Sequence, residues 1–509
     1  MDSSVHSGAA LLRGALSPPA PEPAIATLHT PRTVPPPAVT RPPRRSFSPV
    51  APVVLALALG LWGVRRGGSL WRDEAVTYDM ARRPLSGLGR TLEHADLVHG
   101  LYYLLMHGLF RVFGTADPLL VLRLPSVLAT AASAGLLALL GARLAGQRAG
   151  AAAGVVFVLL PPVQRYAQEG RSYALVCALV IWASYLLVRA VRVRTRRAWA
   201  AYAAALLGAC LLHEFAVPVL AAHAMAVPRA VRRAWAPAAG AVAAGVAPLA
   251  VASGRQSEQV AWIGGLGAGA LLGFAGVALL GAACAALLPR RRPDGRVGLV
   301  ALALPLCVLP GLLLMLASLV KPLYVDRYVL YGQDGTALLV GAALDRLVRA
   351  GVRCRACAVL AAGGALAALL PVTVHLRTPA GRLDDVTAVA AAVRSAGRGA
   401  DGVLYLPGRR RVWTFLDPGS VAGLRDLALE RGPADSGTLY GVEAAPSAVR
   451  ARLRAAHRVV VLRDPAGQPQ GTDPRDAVKL RVLAESFEEC GTRSVRGARV
   501  SVYARPGRC

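Results

Sequence analysis

The sequence predicts a polytopic α-helical membrane protein carrying a C-terminal α/β domain. Three observations predict it. Hydrophobic residues make up 55% of the 509 and charged residues only 17%, for a mean hydropathy of +0.46. Apolar runs near the ~20 residues needed to cross a bilayer recur from residue 50 to about 375. Between those runs, arginine gathers in alternate short loops.

Residues 1–48 are rich in Pro, Ser and Ala, lack periodicity and lead into RPPRRSFSP, the composition of a disordered cytosolic arm. The first apolar run, about 50–64, is not followed by an AxA-type cleavage site, so it is expected to stay as a span. Further spans are expected at about 122–141, 149–165, 172–188, 200–215, 216–228, 236–253, 263–288, 298–319, 328–344 and 356–375, about eleven in all. With the amino terminus inside, the inner loops hold eighteen arginines, whereas the short outer loops hold Arg165, Arg171, Arg255, Lys321 and Arg327. That asymmetry predicts a cytoplasmic amino terminus.

The segment His99–Phe113 is half apolar. Counting it as another span would turn every later arginine cluster outward. It is therefore expected to lie along the outer interface as an amphipathic helix. Leu101, Leu104, Leu105, Leu109 and Val112 follow helical spacing, and Tyr102, Tyr103 and Phe110 would anchor it among headgroups.

After residue 375 no run is long enough to span. GVLYLP (402–407), RVVVLRD (458–464) and RVSVYAR (499–505) read as strands, alternating with helical patterns at 383–396, 446–456 and 474–489. The expected domains are thus a membrane domain, 49–375, with an outer loop at 66–121, and an extracytoplasmic α/β domain, 376–509. Arg409–Arg411 is expected to be a solvated face.

The net charge of +29 is almost wholly arginine, since Lys321 and Lys479 are the only lysines. A nucleic-acid binder would gather such charge on a folded surface; loop placement implies no nucleic-acid partner. Cys177, Cys210, Cys284 and Cys307 lie inside apolar runs, and Cys354 and Cys357 form a CxxC without a second pair, so zinc is not expected. Cys490 and Cys509 can form a disulfide if their domain is extracytoplasmic.

This topology brings a set of polar residues to the outer face: Asp73, Glu74, His94, Asp96, His99 and Arg123; then Gln168, Glu169, Arg171 and Tyr173; then His213, Glu214, Asp326, Arg327 and Tyr328. Ionisable groups at membrane depth are costly and mark functional sites. Carboxylates beside guanidiniums suit glycosyl transfer from a lipid-phosphate sugar: a carboxylate takes the acceptor's proton, and guanidiniums stabilise the leaving phosphate. Asp73, Glu74 and His99 could also hold a divalent metal, though their spacing is not diagnostic.

WRDEA, HGLYYLLMHGLFRVFG, LRLPS and YAQEGRSYAL, in that order, resemble the signatures of GT-C integral-membrane glycosyltransferases of the protein O-mannosyltransferase-like and polyprenyl-phosphate-sugar transferase branch. The resemblance covers roughly residues 50–350. It implies a sugar, mannose in that branch, moved from a polyprenyl phosphate to a glycan, lipid or protein acceptor; a single displacement with inversion is expected, because one base and a phosphate leaving group suffice and no second nucleophile is evident. By the resemblance Asp73 is the base with Glu74 beside it, and Arg123, Arg171, Arg327 and Tyr328 hold the donor phosphate. His99, Tyr102, Gln168, Glu169 and His213 are substrate-binding candidates. One departure is that the family's His-Pro-Pro is His99-Gly100-Leu101 here. The competing class is a transporter or flippase, or an inactive cell-envelope scaffold. Transporters favour internal repeats and midplane broken helices; no repeat is evident, and the charges cluster at one face.

Overall fold

The computed structural model describes residues 49–256, 263–289, 295–467 and 473–509, so the expected disordered arm, 1–48, lies outside the described residues. Helix α1 (Val50–Leu61) leads into the long loop 66–117, itself built of three helices: α2 (Arg72–Arg82), α3 (Leu85–His94) and α4 (Gly100–Val112). Helix α5 (Pro118–Ala145) starts with Pro118 at its first position and Asp117 accepting from the Leu119 N–H at 2.9 Å, satisfying a donor that has no partner within the helix. Then come α6 (Gln147–Leu159), the short α7 (Pro161–Tyr166), α8 (Tyr173–Val193), α9 (Arg196–Leu212), α10 (Val219–Ala226), α11 (Arg232–Arg255), α12 (Ala268–Ala286), α13 (Leu299–Ala317), α14 (Gly332–Arg349) and α15 (Val352–His375).

Helices thus stand at the eleven expected positions, but only seven of them, among the described residues, are long and apolar enough to cross a membrane: those of α1, α5, α8, α11, α12, α13 and α15. The expectation of about eleven full spans is not met on length. At eight residues α10 rises ~12 Å, well short of a ~30 Å hydrocarbon core. The chain still returns there. Helices α9 and α11 end at the same face, where the Ser253 hydroxyl donates to Glu214 at 2.6 Å, so residues 213–231 carry it back between them.

Small residues bring the central helices together. A Cβ on Gly150 of α6 would lie 2.2 Å from the Ala138 carbonyl oxygen of α5, so only glycine permits this approach. Helix α4 inverts the usual pattern for a surface helix. Tyr102, Tyr103, Met106 and Phe110 are buried in protein, while Leu101, Leu104, Leu105 and Val112 are exposed, Val112 to 73%. The exposed stripe is apolar, as an interfacial helix requires. The aromatic residues are not the headgroup anchors expected, because they face inward.

The C-terminal region contains α16 (Val386–Ala396), β1 (Gly402–Leu406), β2 (Arg425–Asp426), β3 (Leu429–Arg431), α17 (Pro433–Ser436), β4 (Val442–Glu443), α18 (Pro446–Ala455), β5 (Arg458–Arg463), α19 (Pro474–Ser486), β6 (Glu488–Val495) and β7 (Ala498–Ala504). Its main sheet has the order β2-β1-β5-β7-β6, parallel across β2, β1 and β5 and antiparallel across β7 and β6. The three expected strands are β1, β5 and β7. Strand β6, EECGTRSV, was not expected: it is a polar edge strand with no apolar alternation to reveal it. The Cys490–Cys509 disulfide ties it to the chain end.

Arg410 and Arg411 are buried, contrary to the expected solvated face. Arg411 donates to Asp426 at 2.6 Å and pairs with Glu443 at 2.9 Å, while Arg410 pairs with Asp464 and covers the Trp413 ring. The α/β region packs directly on the α2–α4 loop. The Val386 N–H donates to the Leu70 carbonyl at 2.7 Å, the Arg72 N–H to Asp384 at 2.9 Å, and Arg83 to the Thr438 carbonyl at 2.9 Å.

Candidate active site

The site is assembled at one end of the bundle, where α5, α8 and α14 begin and α9 ends. It has two layers of charge, one sealed and one open.

The sealed layer centres on Glu74 in the first turn of α2. Arg123, one turn into α5, grips it in a bidentate fork, Nε to Oε1 at 2.7 Å and Nη2 to Oε2 at 2.6 Å. The same guanidinium donates to the Val64 carbonyl at 2.6 Å and the Ser69 carbonyl at 2.7 Å. Glu74 also accepts the Gly170 N–H at 3.1 Å; a Cβ there would press on Leu122 at 3.2 Å, so glycine lets the 167–172 loop come close. Burial alone would raise the Glu74 pKa, but the Arg123 charge and hydrogen bonds bring it down to about 2. Both side chains are wholly buried. Arg123 therefore offers no donor to a lipid phosphate, and Glu74 no oxygen to an acceptor, contrary to the roles expected for them.

Gln168 also belongs to this layer. Its Nε2 donates to the carbonyls of Gly60 at 2.9 Å and Trp62 at 2.7 Å, closing the end of α1 instead of facing a substrate. Glu169 is buried with Arg382, from the start of the α/β region, 3.5 Å from its carboxylate. Burial raises the Glu169 pKa to about 7; Arg382 opposes this, and Glu74 and Asp73 add to it. Tyr102 is fully buried, so it too is removed from any substrate.

The open layer centres on Asp73. Its two oxygens lie 3.8 Å from Arg327 Nη2 and 3.8 Å from Arg72 Nε, attracted but beyond hydrogen-bond reach. Its side chain keeps 15% of its exposure, against none for Glu74. Arg327 donates from Nε to the Tyr173 hydroxyl at 3.1 Å. Arg171, which feels the charge of Asp73, donates to the Tyr103 hydroxyl at 2.9 Å, and Tyr103 donates to Asp96. His99 lies 4.0 Å from Asp96, and burial first, then Arg171, lowers its pKa, so the imidazole is neutral. His213 packs edge-on against His99 at 5.5 Å and lies 4.7 Å from the Tyr328 ring, which stacks on Phe215.

The structure thus brings Asp73, Arg171, Arg327, Tyr328, His99 and His213 together, and withdraws Glu74, Arg123, Gln168, Glu169 and Tyr102 into the support beneath them. Tyr103, Arg72 and Arg382 were not expected in the site. Tyr103 reads as one more interfacial aromatic; the charge run Arg382-Leu-Asp-Asp385, just past the last span, was the available signal for the third. Among the described residues no group of three or more His, Cys, Asp or Glu side chains is placed to hold a metal ion; Glu74 is committed to Arg123.

No protein-family model matches the sequence, and no curated protein sequence does. Solved structures do. ArnT from Cupriavidus metallidurans in the apo state is 14% identical and superposes with a TM-score of 0.56 over 89% of this chain and 97% of that one. ArnT bound to undecaprenyl phosphate gives 0.49 at the same identity and coverage. The archaeal oligosaccharyltransferase AglB from Archaeoglobus fulgidus, in complex with an inhibitory peptide and a dolichol-phosphate, gives 0.47 at 10% identity over 82% of this chain and 69% of that one. The superposition on apo ArnT takes in nearly the whole of both chains, and the protein is a multi-pass membrane protein with the fold of the GT-C glycosyltransferases.

Proposed function

We propose that this protein is a membrane glycosyltransferase that moves a sugar, mannose in our reading, from a polyprenyl-phosphate donor to an acceptor hydroxyl on the extracytoplasmic face. One observation carries the reading: Asp73 is a partly exposed carboxylate with no hydrogen bond to its nearest cations, held between Arg72 and Arg327 in the field of Arg171. A carboxylate so placed accepts a proton; the guanidiniums beside it accept a developing phosphate charge. ArnT, whose fold this chain shares, has been solved with undecaprenyl phosphate bound.

Asp73 removes the proton from the acceptor hydroxyl as its oxygen attacks the anomeric carbon. The bond from that carbon to the phosphate oxygen breaks, and the polyprenyl phosphate leaves with the electron pair. Arg171 and Arg327 neutralise it, and Tyr328 and His213 wall the sugar. One displacement inverts the anomeric carbon, since Glu74 is sealed and offers no second nucleophile. Glu74 and Arg123 are positioning residues that fix the α2 turn bearing Asp73.

The arginine asymmetry and the Cys490–Cys509 disulfide support an orientation with the amino terminus inside and residues 376–509 outside. The acceptor is a glycan, lipid or protein hydroxyl. The test is incubation of membranes holding the protein with labelled polyprenyl-phosphate mannose, and with other sugars on the same carrier, beside an Asp73→Asn variant. Label should pass to an acceptor with the native chain and fall at least a hundredfold with the variant. Full transfer by Asp73→Asn removes Asp73 as base.

A further inference from the structure

The far end of the bundle holds a second feature that the transfer reaction does not use. A cavity of about 1220 Å³ opens where α5, α8 and α14 end and α13 begins. The candidate active site lies at the opposite ends of α5, α8 and α14. Along α8, Tyr173 of the site and Arg192 of the cavity stand 19 residues or ~28 Å apart, close to the thickness of a hydrocarbon core. The cavity therefore faces the other leaflet.

Among the described residues six arginines line it: Arg143, Arg189, Arg192, Arg296, Arg346 and Arg349. Among the described residues one carboxylate, Asp345, lines it with them and is paired with Arg349. All six guanidinium-bearing residues are exposed, and the five other than Arg349 present their charge to a ligand. Arg143 is held 4.0 Å over the Tyr185 ring, which fixes its direction. Val188, Leu288 and Val300 add an apolar wall to the same cavity. Arginines that served only to orient spans would splay toward separate headgroups; these converge from three helices and one loop on a single recess.

We propose that this recess is a binding site for the phosphate-bearing headgroup of an anionic lipid in the leaflet opposite the active site. Phosphate is the anion that guanidinium forks match best. The apolar wall beside the charges suits the glycerol and first acyl carbons, and a basic pocket between spans at headgroup depth is where such lipids bind. The inference needs only that the chain crosses the membrane, and stands whether or not Asp73 is a base.

The test is native mass spectrometry of the purified full chain with phosphatidylglycerol or phosphatidylcholine added. The chain should retain phosphatidylglycerol and exchange phosphatidylcholine freely. An Arg189→Ala/Arg192→Ala/Arg346→Ala variant should bind phosphatidylglycerol about a hundredfold more weakly. A control variant, Arg196→Ala/Arg197→Ala/Arg233→Ala, removes three arginines outside the cavity lining and should bind as the native chain does. If the first variant does not purify as a monodisperse species, Arg189→Gln and Arg346→Gln singly carry the test, each weakening binding about fivefold. Equal retention of both lipids, or equal loss in the control variant, overturns the site. Displacement of phosphatidylglycerol by an equal concentration of inorganic diphosphate overturns the lipid assignment, because the ligand is then a soluble phosphate.

Discussion

Glu74 and Arg123 meet 49 positions apart in a fully buried two-bonded pair, with Nε to Oε1 at 2.7 Å and Nη2 to Oε2 at 2.6 Å. Through it the α2–α4 loop is bolted to the second turn of α5, and the Gly170 N–H brings the 167–172 loop to the same carboxylate. The open site stands on that bolt.

Breaking the pair on one side should therefore cost stability before chemistry. Arg123→Met leaves a buried carboxylate unpaired, a loss of about 3–5 kcal/mol. The double variant Glu74→Leu/Arg123→Met should recover part of it. Thermal melting of the purified proteins reads both, and equal melting of Arg123→Met and native chain would refute the pair's structural role.

The donor-side arginines should behave differently. Arg171→Ala and Arg327→Ala each should lower kcat/KM for the lipid-phosphate sugar at least tenfold, and Arg327→Lys should not restore it, because a point charge does not reproduce the planar fork. Melting should move little for Arg327, which keeps 15% of its side-chain exposure. Unchanged kcat/KM in both alanine variants would sink the phosphate assignment.

Two buried carboxylates give opposite pH dependence. Glu169, raised to about 7 mainly by burial, contributes stability that is full below its unfolded pKa near 4.5 and is lost as pH rises through 7, roughly 3 kcal/mol in all. Glu74, depressed to about 2, contributes stability present above pH 4.5 that disappears only as pH falls through 2. The melting temperature of the native chain should thus fall between about pH 4.5 and 7 and level off above, and Glu169→Gln should flatten that fall. The same slope in both proteins would remove Glu169 as its source.

The exposed apolar stripe of α4 should touch lipid. A nitroxide on Leu104→Cys, in a background lacking Cys354 and Cys357, should be relaxed by oxygen and shielded from a water-soluble nickel complex, with the reverse at the exposed His94→Cys. Water-like accessibility at position 104 would lift α4 off the membrane.

Much of this was legible without coordinates. The spans, the α/β region and the polar outer loops each follow from local periodicity or charge bias, which neighbouring residues alone decide. Helix α10 escaped because an apolar run of thirteen residues looks the same whether it is one helix or a turn with eight helical residues. Strand β6 escaped because an edge strand need bury neither face.

What the sequence by itself determined is that Asp73, Glu74, Arg123, Gln168, Glu169, Arg171 and Arg327 belong to one face of one membrane protein. Only the tertiary structure sorted them into a sealed support and an open site. Asp73 and Glu74 are adjacent in the chain, yet successive positions on a helix point about 100° apart, so one carboxylate turns to water and the other to Arg123. Burial and partnership are set by residues far away in the chain, and they decide which of two identical functional groups is free to react.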